Sequence, residues 1–370
     1  MGLLQDLPVP SENRKGWPWR EEIQPDVYNC RNNWPTISIV VPSYNQGRYL
    51  EETLRSILLQ NYPSLELIII DGGSRDETID IIKKYEPWIT HWVSEKDKGQ
   101  SEAINKGFNK VNGEIVNWLC SDDLLTLGAL KTVTEIFFEA SDETGLIYGA
   151  TTLFGEGVKP KNSYGFANPT IERLISGQVF SQPSAFFKYK YLSKAGAWVR
   201  EDLNLGMDFD LFCRLACVCQ FREVKEIFSL YRLHESSKTV TMHAHLIDDW
   251  CRSFSNICKN NGWEDVAEKM KIIPQLSVLQ KYQYTLPFSA AEKLHSANKD
   301  LALFYHLCLW LKSNYWYGKH NEAREILRIL NANYPKEWID NEKGISSIIF
   351  KLSLPPFLLR MLKTIKKIKS

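Results

Sequence analysis

Between Ile37 and Leu119 the chain alternates short apolar runs with amphipathic segments, and this alternation constrains its fold more than any other feature. Ile37 to Val41 is halted by Pro42, Leu65 to Ile70 ends at Asp71-Gly72-Gly73, and Ile115 to Leu119 is broken only by Asn117. Continuous apolar runs of this length suit strands buried on both faces. His91-Trp92-Val93 adds a shorter candidate strand. Tyr49 to Leu59 carries Leu50, Leu54, Ile57 and Leu58 at helical spacing. Thr78 to Tyr85, preceded by Asp76 and Glu77, and Ser101 to Phe108 read as further helices. A βαβαβ order implies right-handed crossovers and a parallel sheet with helices on both faces.

In such a sheet, ligands collect where strands end. The run Trp118-Leu119-Cys120 stops abruptly at Ser121-Asp122-Asp123. Adjacent carboxylates repel, and each raises the other's pKa unless a cation is shared. A hard divalent ion is one resolution; a plain Asp-Asp turn or helix cap before Leu124-Leu125 is the other. The first turns lack both G-x-G-x-x-G and G-x-x-x-x-G-K-[ST], which argues against a dinucleotide oxidoreductase and a P-loop NTPase.

Bulk properties exclude several classes. A net charge of +1 across 370 residues gives no case for nucleic-acid binding. Met1 to Arg20 holds Pro8, Pro10, Pro18 and scattered charge where a leader would be apolar, and no run has membrane-spanning length. The eight cysteines form no secreted framework. These points predict a cytoplasmic protein, at most peripheral on the inner face of the membrane. Cys213, Cys217 and Cys219 share an apolar helical run and read as small buried thiols ahead of a metal cluster.

The predicted organisation is an N-terminal arm over 1–35, an α/β domain over 36–240, a helical extension over 241–345 and a basic amphipathic tail over 346–370. Beyond Gly145 the pattern mixes strand-like runs (Leu146 to Leu153, Phe180 to Phe187 around Gln182-Pro183-Ser184, Ile227 to Leu233) with a helix over Phe209 to Cys219. Asn314 to Tyr334 reads as one helix of an αα-hairpin. The tail carries Lys351, Arg360, Lys363, Lys366, Lys367 and Lys369 among apolar residues without an acid. It suits either an anionic membrane surface or a solvated helix.

Thr36-Ile37-Ser38-Ile39-Val40-Val41-Pro42-Ser43-Tyr44-Asn45, Ile68-Ile69-Ile70-Asp71-Gly72-Gly73-Ser74-Arg75-Asp76 and Ser121-Asp122-Asp123 resemble motifs of the family 2 glycosyltransferases. So do Met207-Asp208-Phe209-Asp210-Leu211 and Tyr231-Arg232-Leu233-His234-Glu235-Ser236-Ser237, farther along. The resemblance implies the GT-A fold: a Rossmann-like, mostly parallel sheet flanked by helices, here followed by the helical extension. It also implies a nucleotide-sugar donor (UDP-, GDP- or dTDP-linked), Mn²⁺ or Mg²⁺, and inverting transfer to a glycan or lipid-linked acceptor in cell-surface glycan assembly.

Roles for residues follow from the same resemblance. Asp123 and His234 match metal ligands, and Asp122 an acceptor for ribose hydroxyls. Pro42, Tyr44, Asn45 and Asp71 fall where the donor's base and ribose are held, although Gly72 stands where the family usually has a second acid. Asp97, within Asp97-Lys98-Gly99, resembles another donor-facing stretch, with Lys106 downstream. Asp208 matches the base that takes the acceptor's proton, preceded by Met207 in place of the usual Glu; Asp210 is the runner-up. Gln182, Ser184 and Arg232 are expected to line the acceptor pocket or support it. Two alternatives stand beside this reading: a catalytically silent glycan- or partner-binding module, and a nucleotidyltransferase.

Overall fold

The computed structural model describes residues 2–177, 179–203, 205–238, 243–270, 294 and 296–354. Its strands are β1 (Ile37–Ser43), β2 (Leu65–Asp71), β3 (His91–Ser94), β4 (Ile115–Trp118), β5 (Leu124–Leu125), β6 (Thr144–Gly155), β7 (Val158–Ser163), β8 (Ala185–Lys188) and β9 (Gln220–Arg232). They join one sheet in the order β3-β2-β1-β4-β8-β6-β9-β5, with β7 on β6. The first four strands are parallel. Beyond them β8 runs antiparallel to β4 and β6, while β6 and β9 are parallel. The expected α/β alternation is thus present from β1 to β4, and mixed pairing closes the far side.

Side-chain alternation along the strands explains how one sheet supports two cores. Val40, Ile68, Ile70, Val116 and Trp118 face one side. Ile39, Val41, Leu67, Ile69 and Ile115 face the other. On that second side lie α1 (Gly47–Leu58), α2 (Thr78–Tyr85) and α4 (Ala129–Glu139). Toward the first lie α3 (Gln100–Phe108), α5 (Ile171–Ser176), α6 (Tyr189–Lys194) and α7 (Met207–Val218).

The later helices are α8 (His243–Asn260), α9 (Glu264–Met270), α10 (Lys299–Trp316), α11 (His320–Asn333), α12 (Lys336–Asn341) and α13 (Ile345–Ser353). One continuous apolar cluster runs from Val40 on the sheet through Phe254 and Phe304 to Leu352. The helices after 243 therefore share a core with the sheet. Among the described residues no helix is long and apolar enough to cross a membrane.

Three sequence expectations need adjustment. The single helix expected over Asn314 to Tyr334 is two helices, because Gly318 adopts a φ of 77° between α10 and α11. That left-handed conformation ends a helix at little cost only for glycine. The strand expected over Phe180 to Phe187 is confined to β8, since Gln182-Pro183-Ser184 forms a 3-10 turn. Proline has no N–H to give to a ladder. The first part of the expected tail is α13, with Ile345, Ile348 and Leu352 buried; residues 355–370 lie outside the described residues.

The arm before β1 is bound down by a buried cation. Arg55, wholly buried on α1, donates to the carbonyls of Pro8 (3.0 Å), Pro18 (3.1 Å) and Trp19 (3.2 Å) and to the Tyr85 hydroxyl (3.2 Å). Trp17 Nε1 donates to Leu125 O at 2.8 Å, tying the same arm to β5.

Candidate active site

The C-terminal ends of β1, β2 and β4 lie side by side, and their exits bring Pro42 to Asn45, Asp71, and Asp122-Asp123 to one edge. Tyr44 is 60% exposed there, an aromatic face open to solvent. The Ser43 hydroxyl is buried and has no hydrogen-bond partner among the described residues. Asn45 takes a φ of 51° and braces the neighbouring turn, its Oδ1 accepting from Arg75 N at 2.9 Å and its own N–H donating to Ser74 Oγ at 2.7 Å.

Asp71 is fully buried, and its Oδ2 accepts from Gly73 N (3.0 Å), Ser74 N (2.9 Å) and Ser94 Oγ (2.6 Å). Its carboxylate shapes the turn that follows β2. At Gly72 a Cβ would lie 2.8 Å from Asp97 Oδ2, so the missing side chain leaves room for the Asp97 carboxylate. Burial, reinforced by the Glu102 and Asp71 charges, pushes the Asp97 carboxyl up despite its bond from Gly99 N. Lys106 is engaged by Glu95 (2.8 Å) and Glu102 (3.2 Å) on the surface of α3.

Asp122 and Asp123 diverge in their surroundings. Asp123 is 1% exposed, and among the described residues its Oδ1 accepts only the main-chain N–H of Arg232 at 2.9 Å. Burial, then the Asp122 charge, pushes its carboxyl well above the usual range. Asp122 is half-buried, and its Oδ2 lies 2.9 Å from His234 Nε2. The other imidazole nitrogen lies 2.9 Å from Ser236 Oγ, and the ring packs against Tyr49 at 4.8 Å. Two neighbouring carboxylates, one deeply buried, are donors that fit a hard divalent cation, and the imidazole stands against the Asp122 carboxylate.

Arg232 acts as the brace. Its Nε donates to Asp122 O (2.8 Å) and its Nη2 to Glu52 (2.7 Å), while its plane covers Tyr49 and Phe154. This fixes the late loop carrying His234 to both α1 and the acidic turn. Glu52 and Tyr49 escaped the sequence reading. Their only signal was a position on the polar side of α1, which many surface residues share.

Asp208 lies in the first turn of α7 with a half-buried side chain. Its charge is one of those that push up the nearby Cys120 thiol, along with burial and the Asp123 and Asp122 charges. Asp210 points inward: it is 3% exposed and pairs with Arg214 (2.9 Å) and Arg200 (3.7 Å). That pairing removes Asp210 from contention as a base.

Gln182 is buried and donates to Trp118 O at 2.6 Å, holding the turn before β8 against the end of β4. Ser184 is wholly buried in a hydroxyl cluster with Ser229 (2.6 Å) and Thr151 (2.7 Å) and does not face open space. Of the expected site residues, Asp122 meets His234 and Arg232, and Asp123 meets the Arg232 main chain, whereas Gln182 and Ser184 act from within the scaffold.

Residues 38–201 match the profile of glycosyl transferase family 2. An uncharacterized glycosyltransferase of Rickettsia typhi is 28% identical over 219 residues, 56% of this chain and 67% of that protein. The putative teichuronic acid biosynthesis glycosyltransferase TuaG of Bacillus subtilis is 37% identical over 113 residues, 30% of this chain and 45% of its own length. Among solved structures, S. aureus TarS 1–349 in complex with UDP-GlcNAc superposes with a TM-score of 0.51 at 16% identity, covering 75% of this chain and 81% of that one. That likeness shows a shared fold.

Proposed function

Proceeding from its membership of glycosyl transferase family 2, carried by residues 38–201, we propose that this glycosyltransferase is inverting and metal-dependent. It moves a sugar from a nucleoside-diphosphate donor to an acceptor hydroxyl in the assembly of a cell-surface glycan. The observation that best supports this reading is the acidic turn Asp122-Asp123 at a strand exit, with His234 of the late loop 2.9 Å from Asp122 and a half-buried Asp208 near the same turn. TarS binding UDP-GlcNAc, and the role in TuaG's name, point the same way for donor class and pathway type.

Asp123 and His234 are the residues that would hold Mn²⁺ or Mg²⁺, with Asp122 between metal and ribose. The ion would act as a Lewis acid on the diphosphate, where negative charge builds as the sugar departs. Tyr44 offers its exposed ring to the donor base, and Asp97 lies over the glycine turn that follows β2. Asp208 takes the acceptor's hydroxyl proton. The new bond to the anomeric carbon forms on the face opposite the breaking bond to phosphate, which inverts the centre. Arg232, through Glu52 and the Asp122 carbonyl, holds the His234 loop in register.

We place the enzyme in the cytoplasm, peripheral on the inner membrane face through the basic residues of 346–370, with the extension presenting a glycan or lipid-linked acceptor. The deciding experiment is Asp208→Asn: sugar transfer should fall by about a thousandfold or more while donor binding stays within about twofold. Unchanged turnover would eliminate Asp208 as the base. A thermal-shift panel of UDP-, GDP- and dTDP-sugars with Mn²⁺ would identify the donor, since the ligand that binds the native state raises its melting point.

A further inference from the structure

The structure assigns to Cys120 a place in the cation's coordination sphere, as a sulfur donor beside Asp122 and Asp123; the assignment rests on the metal-dependent reading above. The Cys120 Sγ and one carboxylate oxygen from each of the two aspartates all lie within 4.8 Å of one another. Donors sitting about 2.0–2.6 Å from one ion can be at most roughly 5 Å apart, so the trio is within the span of a shared site.

Two further observations point to a ligand there. The Asp123 carboxylate is 1% exposed, yet only one of its oxygens has a hydrogen-bond partner among the described residues. The thiol is also oriented from behind: Gln100 Nε2 approaches Sγ at 3.1 Å, while Gln100 Oε1 accepts from Lys238 Nζ at 3.2 Å. The sulfur held by this amide is the same one that lies within 4.8 Å of an oxygen on each aspartate. Cys213, Cys217 and Cys219, by contrast, are buried in the apolar core.

A sulfur donor changes which cations the site prefers. Carboxylate-only sites suit Mg²⁺ and Mn²⁺, while thiolates add affinity for softer ions such as Co²⁺, Zn²⁺ and Cd²⁺. On binding, the thiol proton passes to solvent and the thiolate takes its place on the ion. The consequence is an enzyme that accepts Mn²⁺ well, Mg²⁺ less well, and is captured by thiophilic metals.

The full chain titrated with Cd²⁺, with and without a nucleoside diphosphate, tests this by the ultraviolet charge-transfer band of a Cd²⁺–thiolate bond. Wild type should develop the band, and excess Mn²⁺ with nucleoside diphosphate should erase it. Cys120→Ser should lack the band, bind Cd²⁺ at least about tenfold more weakly, and keep its Mn²⁺ affinity within about threefold by calorimetry. Circular dichroism checks that this near-isosteric variant is folded; the Mn²⁺ competition on wild type tests the assignment without it. Calorimetric Mn²⁺ binding with no Cd²⁺ band, an equal band in Cys120→Ser, or a band indifferent to Mn²⁺ would each overturn the Cys120 assignment alone. Asp123→Asn binding Mn²⁺ as tightly as wild type would overturn the metal reading itself.

Discussion

Asp210 and Asp123 are both buried carboxylates, 3% and 1% exposed, yet their pockets are built in opposite ways. Asp210 is met by two guanidinium groups, Arg214 and Arg200. Asp123 receives a main-chain N–H from Arg232 while that residue's guanidinium is spent on Glu52 and on the Asp122 carbonyl. The first carboxylate is neutralised from within the protein and braces α7. The second is opposed by burial and by another acid, and Arg232's main-chain N–H and its charge offset only part of that. A buried charge that is only partly compensated is costly, and a bound cation would supply the rest of the compensation.

The sharpest way to break this contrast is Asp210→Ala. It leaves Arg214 buried without its carboxylate and should cost about 3–5 kcal/mol of stability, read from the denaturant midpoint with or without metal. A loss of activity at full stability would instead return Asp210 to the site.

The pH profile of the metal-free protein must next be cleared of His306, another buried titrating group. Burial lowers its imidazole to about 4 from 6.5, while Nδ1 lies 2.7 Å from Ser176 O. The folded state therefore favours the neutral ring. Its contribution is complete above about 6.5 and is lost as pH falls toward 4, a change of about 3 kcal/mol. A flat stability profile across that window in chemical denaturation would contradict it.

Asp123 carries the opposite sign. Its carboxyl is raised by burial and by Asp122, so the folded state favours the protonated form. The metal-free protein should lose stability from the unfolded pKa upward until the folded pKa is passed. Asp123→Asn should remove that loss and stabilise the chelator-treated protein by about 1 kcal/mol at neutral pH, while abolishing stabilisation by Mn²⁺. A lower melting point in chelator would show that Asp123 is as well compensated as Asp210.

The smallest effect is expected for Arg232→Lys. A lysine cannot serve Glu52 and the Asp122 carbonyl with one planar fork, and the pair is partly solvated. Stability should drop by about 1 kcal/mol or less, with the larger change seen as a raised metal requirement in activity titrations.

Much of the fold was legible because strands buried on both faces are mostly apolar, with Ser38, Glu66 and Asn117 the single polar residue in each run. That is why Ile37 to Val41, Leu65 to Ile70 and Ile115 to Leu119 stand out and fall in β1, β2 and β4. The break at Gly318 was hidden by helical periodicity on both sides, since one glycine does not reveal the sign of its φ. At the site, Asp122, Asp123, Arg232 and His234 were visible as residue types in ordered motifs. Glu52, the approach of Asp97 to Gly72 and the neighbours of Cys120 depend on tertiary contacts and leave no local trace. Ser184 sits in a turn-like tripeptide that suggests a surface position, whereas its hydroxyl joins Ser229 and Thr151 in the interior.

The Arg55 clasp has a bearing on how this enzyme is trimmed for study. The family profile begins at residue 38, yet the acceptors for that guanidinium sit at Pro8, Pro18 and Trp19. Cutting at the profile's edge would strand a cation inside α1's packed face and unroof the apolar layer beneath. The smallest unit able to fold alone therefore reaches back well before the first strand, and an expression boundary drawn from homology would miss it.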